Sequence, residues 1–400
     1  MIIELIVFFF FGILAGTFTG LSPGIHINLI GVFLVSLSTS VLGFIEPIYF
    51  VVFIVAMAIT HTFVDFIPSV FLGCPDTDTE LSVLPGHELL KEGQGYQAVM
   101  LTCYGSIAAI IILLLTIFPF ILVSDGIYEF LKKPFIMASV LITTSVFLVA
   151  LERKRISALV VFLISGSLGL CVLNMEINQP LLPLLTGLFG SSMLILSIKD
   201  KIQIPPQKLE KPKEDIKKPL AGALLGSMIA SPLCGFLPGL GSGQAAIIGN
   251  TISRTSKKGF LILLGATNTL VMSFSFVTLY TISRTRTGAA AAVKEIIKTV
   301  SLENFLIIIS VIILSAVIAF FVTEFLTRIL SNRITKISYT KLSSITLFVL
   351  LTITFFISGI LGIGVLIVST LTGIYCISLK VKRTHMMGCL LLPTIILYLI

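Results

Sequence analysis

The feature that most constrains this chain is a polar, glycine-and-proline break set inside apolar sequence, and it occurs twice. Gly20-Leu21-Ser22-Pro23-Gly24-Ile25-His26-Ile27-Asn28 interrupts the first apolar stretch. When Gly20 is laid over Gly235, the run Gly235-Phe236-Leu237-Pro238-Gly239-Leu240-Gly241-Ser242-Gly243-Gln244 repeats its G-x-x-P-G core. A second matched pair follows in the same order, Thr60-His61-Thr62 after the first break and Thr267-Asn268-Thr269 after the second. Two motifs recurring in one order point to an internal duplication whose period, near half the chain, is too long for a solenoid.

Composition fixes the surroundings. With 56% hydrophobic residues, 12% charged and a mean hydropathy of +1.10, the chain is more apolar than soluble domains of its size. Its apolar runs of about 17 to 25 residues suit helices crossing a ~30 Å hydrocarbon core, whereas barrel strands would alternate over ~10 residues. The expected class is an all-α polytopic membrane protein. Residues 1–198 form a first membrane repeat, 199–219 a charged linker and 220–400 a second repeat, each repeat opening with a Pro-Gly-broken helical hairpin that returns to its starting side. Spans are expected near 48–66, 98–123, 134–150, 156–173 and 180–198, then 259–280, 304–325, 342–358, 363–379 and 386–400. The start, Met1-Ile2-Ile3-Glu4, lacks a basic region and reads as retained structure, not a signal peptide. The six cysteines are scattered without metal-ligand spacing and read as small buried residues.

The net charge of +8 reads as orientation, not as nucleic-acid binding. Six of the 27 Lys and Arg (Lys132, Lys133, Arg284, Arg286, Lys294, Lys298) fall opposite the linker under this topology, and the remaining 21 fall on its side. Basic residues concentrate in cytoplasmic loops, so the linker is expected in the cytoplasm of a cell-membrane protein. Five spans between the first break and the linker then make the two hairpins enter from opposite faces. That is an inverted repeat, an arrangement in which secondary transporters place their site near the midplane.

Backbone groups freed by proline and glycine are tolerated at membrane depth only where protein or a water-filled cavity surrounds them. Short helices beginning after Pro23-Gly24 and Pro238-Gly239 would aim N–H groups and positive dipole ends at one centre, a ready anion site. Pro23, Gly24, His26 and Asn28 from one repeat, with Pro238, Gly239, Gly241, Ser242 and Gln244 from the other, are the expected substrate-binding residues. Thr60, His61, Thr62 and Asp65, with Thr267, Asn268 and Thr269, are the candidates for a coupling ion. The same polar residues also suit plain interhelical hydrogen bonds. Arg286 stands where it can attract an incoming anion or a lipid headgroup. The acidic stretch from Phe66 to Gln97 is long for a loop and is expected to be structureless and functional. No enzyme is expected: His87-Glu88-Leu89-Leu90-Lys91 lacks the second histidine of a zinc site, and Gly239 to Gly243 lacks the ending of a phosphate loop.

With both breaks and the loop in view, the chain resembles the TctA family, the large membrane subunit of tripartite tricarboxylate transporters, and most nearly a shorter archaeal branch. The resemblance rests on Gly20 to Asn28, Gly73-Cys74-Pro75-Asp76, Leu84 to Gly93, Tyr96-Gln97-Ala98, Gly235 to Ala246 and Arg284 to Ala289. Gly86 and Gly93 match the family's loop pattern, while Pro85 stands where that pattern has an aspartate. The resemblance implies a secondary permease of a small organic anion such as a carboxylate, driven by a Na+ or H+ gradient and needing no other cofactor. It implies work alongside a small membrane subunit and an extracytoplasmic binding protein; the residues leave open whether either exists here, and they permit a homodimer. A polyprenyl-phosphate translocase on the same paired-hairpin layout is the alternative, since helix N-termini suit a lipid phosphate equally.

Overall fold

The computed structural model describes residues 2–22, 46–73, 79–200, 204–212, 217–237, 240–334 and 338–400. Among them every regular element is helical, and nine helices are long and apolar enough to cross a membrane.

Glycine faces set the core. Helix α1 (Ile2–Leu21) carries Gly12, Gly16 and Gly20 four residues apart, so they share one face. That face lies on α2 (Pro47–Val64), with Gly12 at Phe53 and Ala56, Gly16 at Met57 and Thr60, and Gly20 at Val64. The two helices are therefore parallel, and Phe8 stacks on Tyr49 at 5.9 Å. Asp65 links α2 to α3 (Phe66–Leu72), and together they form the most buried span, 94% buried against other parts of the protein.

The stretch Phe66 to Gln97 corrects the expectation of a structureless loop. After α3 it forms a 3-10 turn at Glu80–Ser82 and helix α4 (Val83–Lys91), with Leu89 and Leu90 buried. Its glycines and acidic residues mask a helical period of only two and a half turns. Gly73, left-handed at φ 63°, ends α3 beneath the His87 ring.

Helix α5 (Gly95–Leu131) runs for 37 residues, about 55 Å. Peripheral helices α6 (Pro134–Ala150) and α7 (Arg155–Leu173) follow, then α8 (Leu181–Leu185), a π segment at Thr186–Ser191, and α9 (Ser192–Asp200). Part of the linker straps the start of α5: Gln207 accepts from Gly95 N–H at 2.7 Å, and Lys208 N–H donates to Gly93 O at 2.8 Å.

The second half opens with α10 (Lys217–Phe236) and α11 (Ser242–Ser253), which pack antiparallel with Gly226 on Gly249 and Gly222 near Ser253. Their outer ends meet at the linker end of the molecule. Helix α12 (Lys257–Ile282) then runs parallel to α10, Pro219 lying by Gly259 and Gly235 by Thr278. It also lies parallel to α5 with backbones in contact: a Cβ on Gly105 would fall 1.9 Å from Ile262 O, and one on Gly265 2.0 Å from Thr102 O. Ser106 Oγ donates to Gly265 O at 3.0 Å across this seam. After α13 (Gly288–Ile297), α14 (Leu302–Arg333) runs antiparallel to α5, with Tyr104 on Phe320 and Tyr96 Oη donating to Glu324.

The expected spans at 342–358 and 363–379 are the two helical arms of α15 (Tyr339–Ser378), separated by the non-helical Gly359 (φ 65°, ψ −164°). A Cβ on Gly362 would lie 3.6 Å from Thr354 Cγ2, whereas eight residues along a straight helix span about 12 Å. The chain therefore reverses there. Helix α16 (Gly388–Leu399) closes against α7 through Gly166 and Gly169.

Replacing Gly105 by Leu is expected to force α5 off α12 and cost about 3 kcal/mol or more, while Gly126→Ala, where a Cβ meets nothing within 4 Å, is expected to be neutral. Melting temperatures of the two purified variants check this. Burial, then the positive charges of Lys91 and Arg383, holds the His87 imidazole down to about 4 from an ordinary 6.5. Folded His87 is thus neutral where the unfolded chain takes up a proton, so its contribution is full above pH 6.5 and lost as pH falls toward 4, at most roughly 3 kcal/mol. A pH series of melting temperatures is expected to fall less steeply between pH 6.5 and 4.5 for His87→Gln than for the wild type.

Candidate functional site

The two T-x-T motifs meet. Helix α2 enters from the end of the molecule at which α12 leaves, and where they cross Thr62 Oγ1 lies 3.2 Å from Thr269 Oγ1. Thr62 donates its one hydroxyl proton to Ile59 O at 2.8 Å, so Thr269 is the donor of the pair. Asn268 Nδ2 donates to Asp65 Oδ2 at 2.9 Å and lies 3.4 Å from Thr62 O. On the other side of α2, His61 Nδ1 lies 3.1 Å from Thr19 Oγ1 of α1. Thr60, His61, Thr62, Asp65, Thr267, Asn268 and Thr269 are all buried, none above 4% exposed. Burying such groups is costly unless they pair with one another, and pairing is what joins Asp65, Asn268, Thr62 and Thr269.

The members differ in what they leave over. Thr267 donates to Leu263 O within its own helix at 2.7 Å, which leaves its hydroxyl oxygen as an acceptor. Thr60 Oγ1 is buried without a hydrogen-bond partner. Thr60 lies five residues before Asp65, and its Cβ faces Gly16 of α1, whereas the Asp65 carboxylate faces Asn268 of α12. Among the described residues no cluster of three His, Cys, Asp or Glu exists.

Of the expected substrate residues, Pro23, Gly24, His26, Asn28, Pro238 and Gly239 lie outside the described residues. Gly241, Ser242 and Gln244 lie within them. Gly241 is the N-cap of α11, and its N–H donates to Gln244 Oε1 at 3.0 Å, the half of a capping box that a glycine N-cap can make. Gln244 is buried, and its Nε2 has no partner. The side chain expected to orient an anion therefore first holds its own helix start, with one amide donor left over.

Two participants escaped the sequence reading. Thr19 was legible only through the Gly12, Gly16 and Gly20 spacing that turns it toward α2. Ser275 accepts from the N–H groups of Arg286 and Thr287 at 3.1 and 3.0 Å, and one serine among the hydroxyl residues of this apolar helix gives no such signal.

At the linker end lies a cavity of about 790 Å³ between α4, α9, α11, the start of α12 and the segment Val381 to Arg383. Its walls are mainly apolar, as in small-molecule sites, with His87, Lys91, Lys382 and Arg383 set among them. The ion pair Lys257–Glu88 closes one side.

Comparison with known proteins follows the same outline. An uncharacterized protein of Methanocaldococcus jannaschii is 29% identical over 402 residues, covering 97% of each chain. No solved structure matches. The tripartite tricarboxylate transporter TctA family matches residues 6–388, nearly the whole chain. A polytopic helical protein with paired G-x-x-P-G breaks and a sequence match of that extent is a member of the tripartite tricarboxylate transporter TctA family.

Proposed function

We propose that the chain is the permease of a small organic anion, a carboxylate, moved by a Na+ or H+ gradient. The observation that carries this reading is the buried Asp65–Asn268 contact. It ties a carboxylate on the first T-x-T helix to an amide on the second, where a coupling ion bound between them would alter the fit of one half against the other. Asp65 takes the ion; Asn268, Thr62 and Thr269 set its geometry. The substrate occupies the region between the two breaks and passes the cavity at the linker end, whose basic groups favour an anion.

The packing supports reading 1–198 and 220–400 as inverted repeats about the linker 199–219. Helix α1 lies parallel to α2 as α10 lies to α12, and α2 and α12 run in opposite directions. In this reading α10 and α11 are a re-entrant hairpin, and the basic linker end faces the cytoplasm of a cell-membrane protein. Family membership supports action beside a small membrane subunit and an extracytoplasmic binding protein, without requiring them for recognition by this chain.

Uptake into proteoliposomes containing only this protein tests the reading, with labelled citrate, succinate and acetate under imposed Na+ or pH gradients. Asp65→Asn is expected to reduce gradient-driven accumulation at least tenfold while carboxylates still raise the melting temperature. Undiminished accumulation by Asp65→Asn would remove Asp65 from the coupling site.

A further inference from the structure

At the end of the molecule away from the linker, α12 stops at Ser283 and the chain folds back before α13. The turn is clamped from inside. Ser275 Oγ accepts from Arg286 N–H, Thr287 N–H and the Thr287 hydroxyl at 3.0 to 3.1 Å. This anchors Arg286 over the last turn of α10, where its Nε donates to Gly235 O at 3.1 Å. Gly235 opens the second G-x-x-P-G break. The other end of the guanidinium, Nη2, is buried and has no partner.

Arg286 also borders a recess of about 100 Å³, together with Tyr128, Lys132, Gly235, Arg284 and Tyr398. Arg284 Nε donates to the Tyr128 hydroxyl, and its guanidinium lies 5.3 Å from the centre of that ring. Lys132 is held by Glu129 at 2.5 Å, but among the described residues no carboxylate borders the recess itself. The charged or ionisable groups acting on Arg286 are Cys234, Tyr398, Arg284 and Tyr128, none of them an acid of the Asp or Glu type. Burial lowers Arg286 to about 10, which leaves it charged at neutral pH. A buried cation without a counter-charge is costly, and a single oxyanion on Nη2 relieves that cost.

We propose that this recess is a receiving site for one carboxylate of a soluble anion. Arg286 is its principal ligand and Arg284 a second positive wall, at the mouth of the second break on the face opposite the linker. The proposal deepens the permease reading by assigning where the anion is first held, and it rests on that reading only for the word substrate. The room fits one carboxylate group, so the rest of a larger anion projects outward. An anionic lipid phosphate has the same oxyanion chemistry, and the test separates the two sources.

Purified protein in phosphatidylcholine nanodiscs is titrated with acetate, succinate and citrate, following melting temperature and apparent Kd. The wild type is expected to shift with the carboxylates, Arg286→Gln to lose the shift, and Lys298→Gln, at an exposed cation paired with Glu295 outside the recess lining, to keep it. Arg286→Lys, which retains charge but not the bidentate fork, is expected to weaken binding at least tenfold, and it decides the matter if the Gln variant fails to fold. Equal shifts in wild type and Arg286 variants overturn the recess and leave the permease reading standing. Arg286-dependent shifts without any proteoliposome uptake uphold the recess and sink the permease reading. No shift with carboxylates, or a shift only when phosphatidylglycerol replaces phosphatidylcholine, overturns the proposal.

Discussion

The structure depends on backbones touching. Where α5 meets α12, Gly105 and Gly265 bring main chain against main chain. In a bilayer, where lipid tails are as apolar as leucine, such close packing and interhelical hydrogen bonds replace the hydrophobic drive between helices. The same device places Gly12, Gly16 and Gly20 of α1 on α2. Side chains at the α2–α12 crossing can therefore be short. Threonine, asparagine and aspartate reach one another there because the surrounding helices hold those two axes close, and with longer or mobile axes the same residues would be left unpaired in a dry interior.

Much of this was legible in the sequence, for identifiable reasons. A repeat that preserves the order of two motifs implies that both copies serve one arrangement, and Thr62 with Asp65 does meet Asn268 and Thr269. The spans were legible because hydrocarbon thickness sets their length, and even the reversal at Gly359 fell between two expected spans. The stretch from Phe66 to Gln97 was misread because α4 buries only one narrow face. Its prolines, glycines and charges are surface signals that outweigh two buried leucines. The roles of Ser106 and Ser275 were not legible at all, since each depends on which helix lies opposite, and hydroxyls back-bonded to their own helix look identical in sequence.

Among the described residues, each end of the molecule carries a pocket of its own. At the linker end several helices stand apart around a wide, mostly apolar cavity with scattered cations. At the other end the helices converge to a small recess ringed by two guanidiniums and two tyrosines. The buried Asp65 contact lies on the helices that run between them.

The second break is gripped from both flanks. Arg286 holds Gly235 through its carbonyl, and Gln244 holds Gly241 through its N–H. Each uses one end of a forked polar group for the backbone and leaves a buried donor, Nη2 or Nε2, without a partner. An unsatisfied buried donor costs about 1–3 kcal/mol, more when charged. A fold that maintains two of them on either side of one break is less stable than it would be with both satisfied. An anion that accepts from either donor recovers that difference without rearranging the backbone, because the other end of each fork already fixes the donor's position.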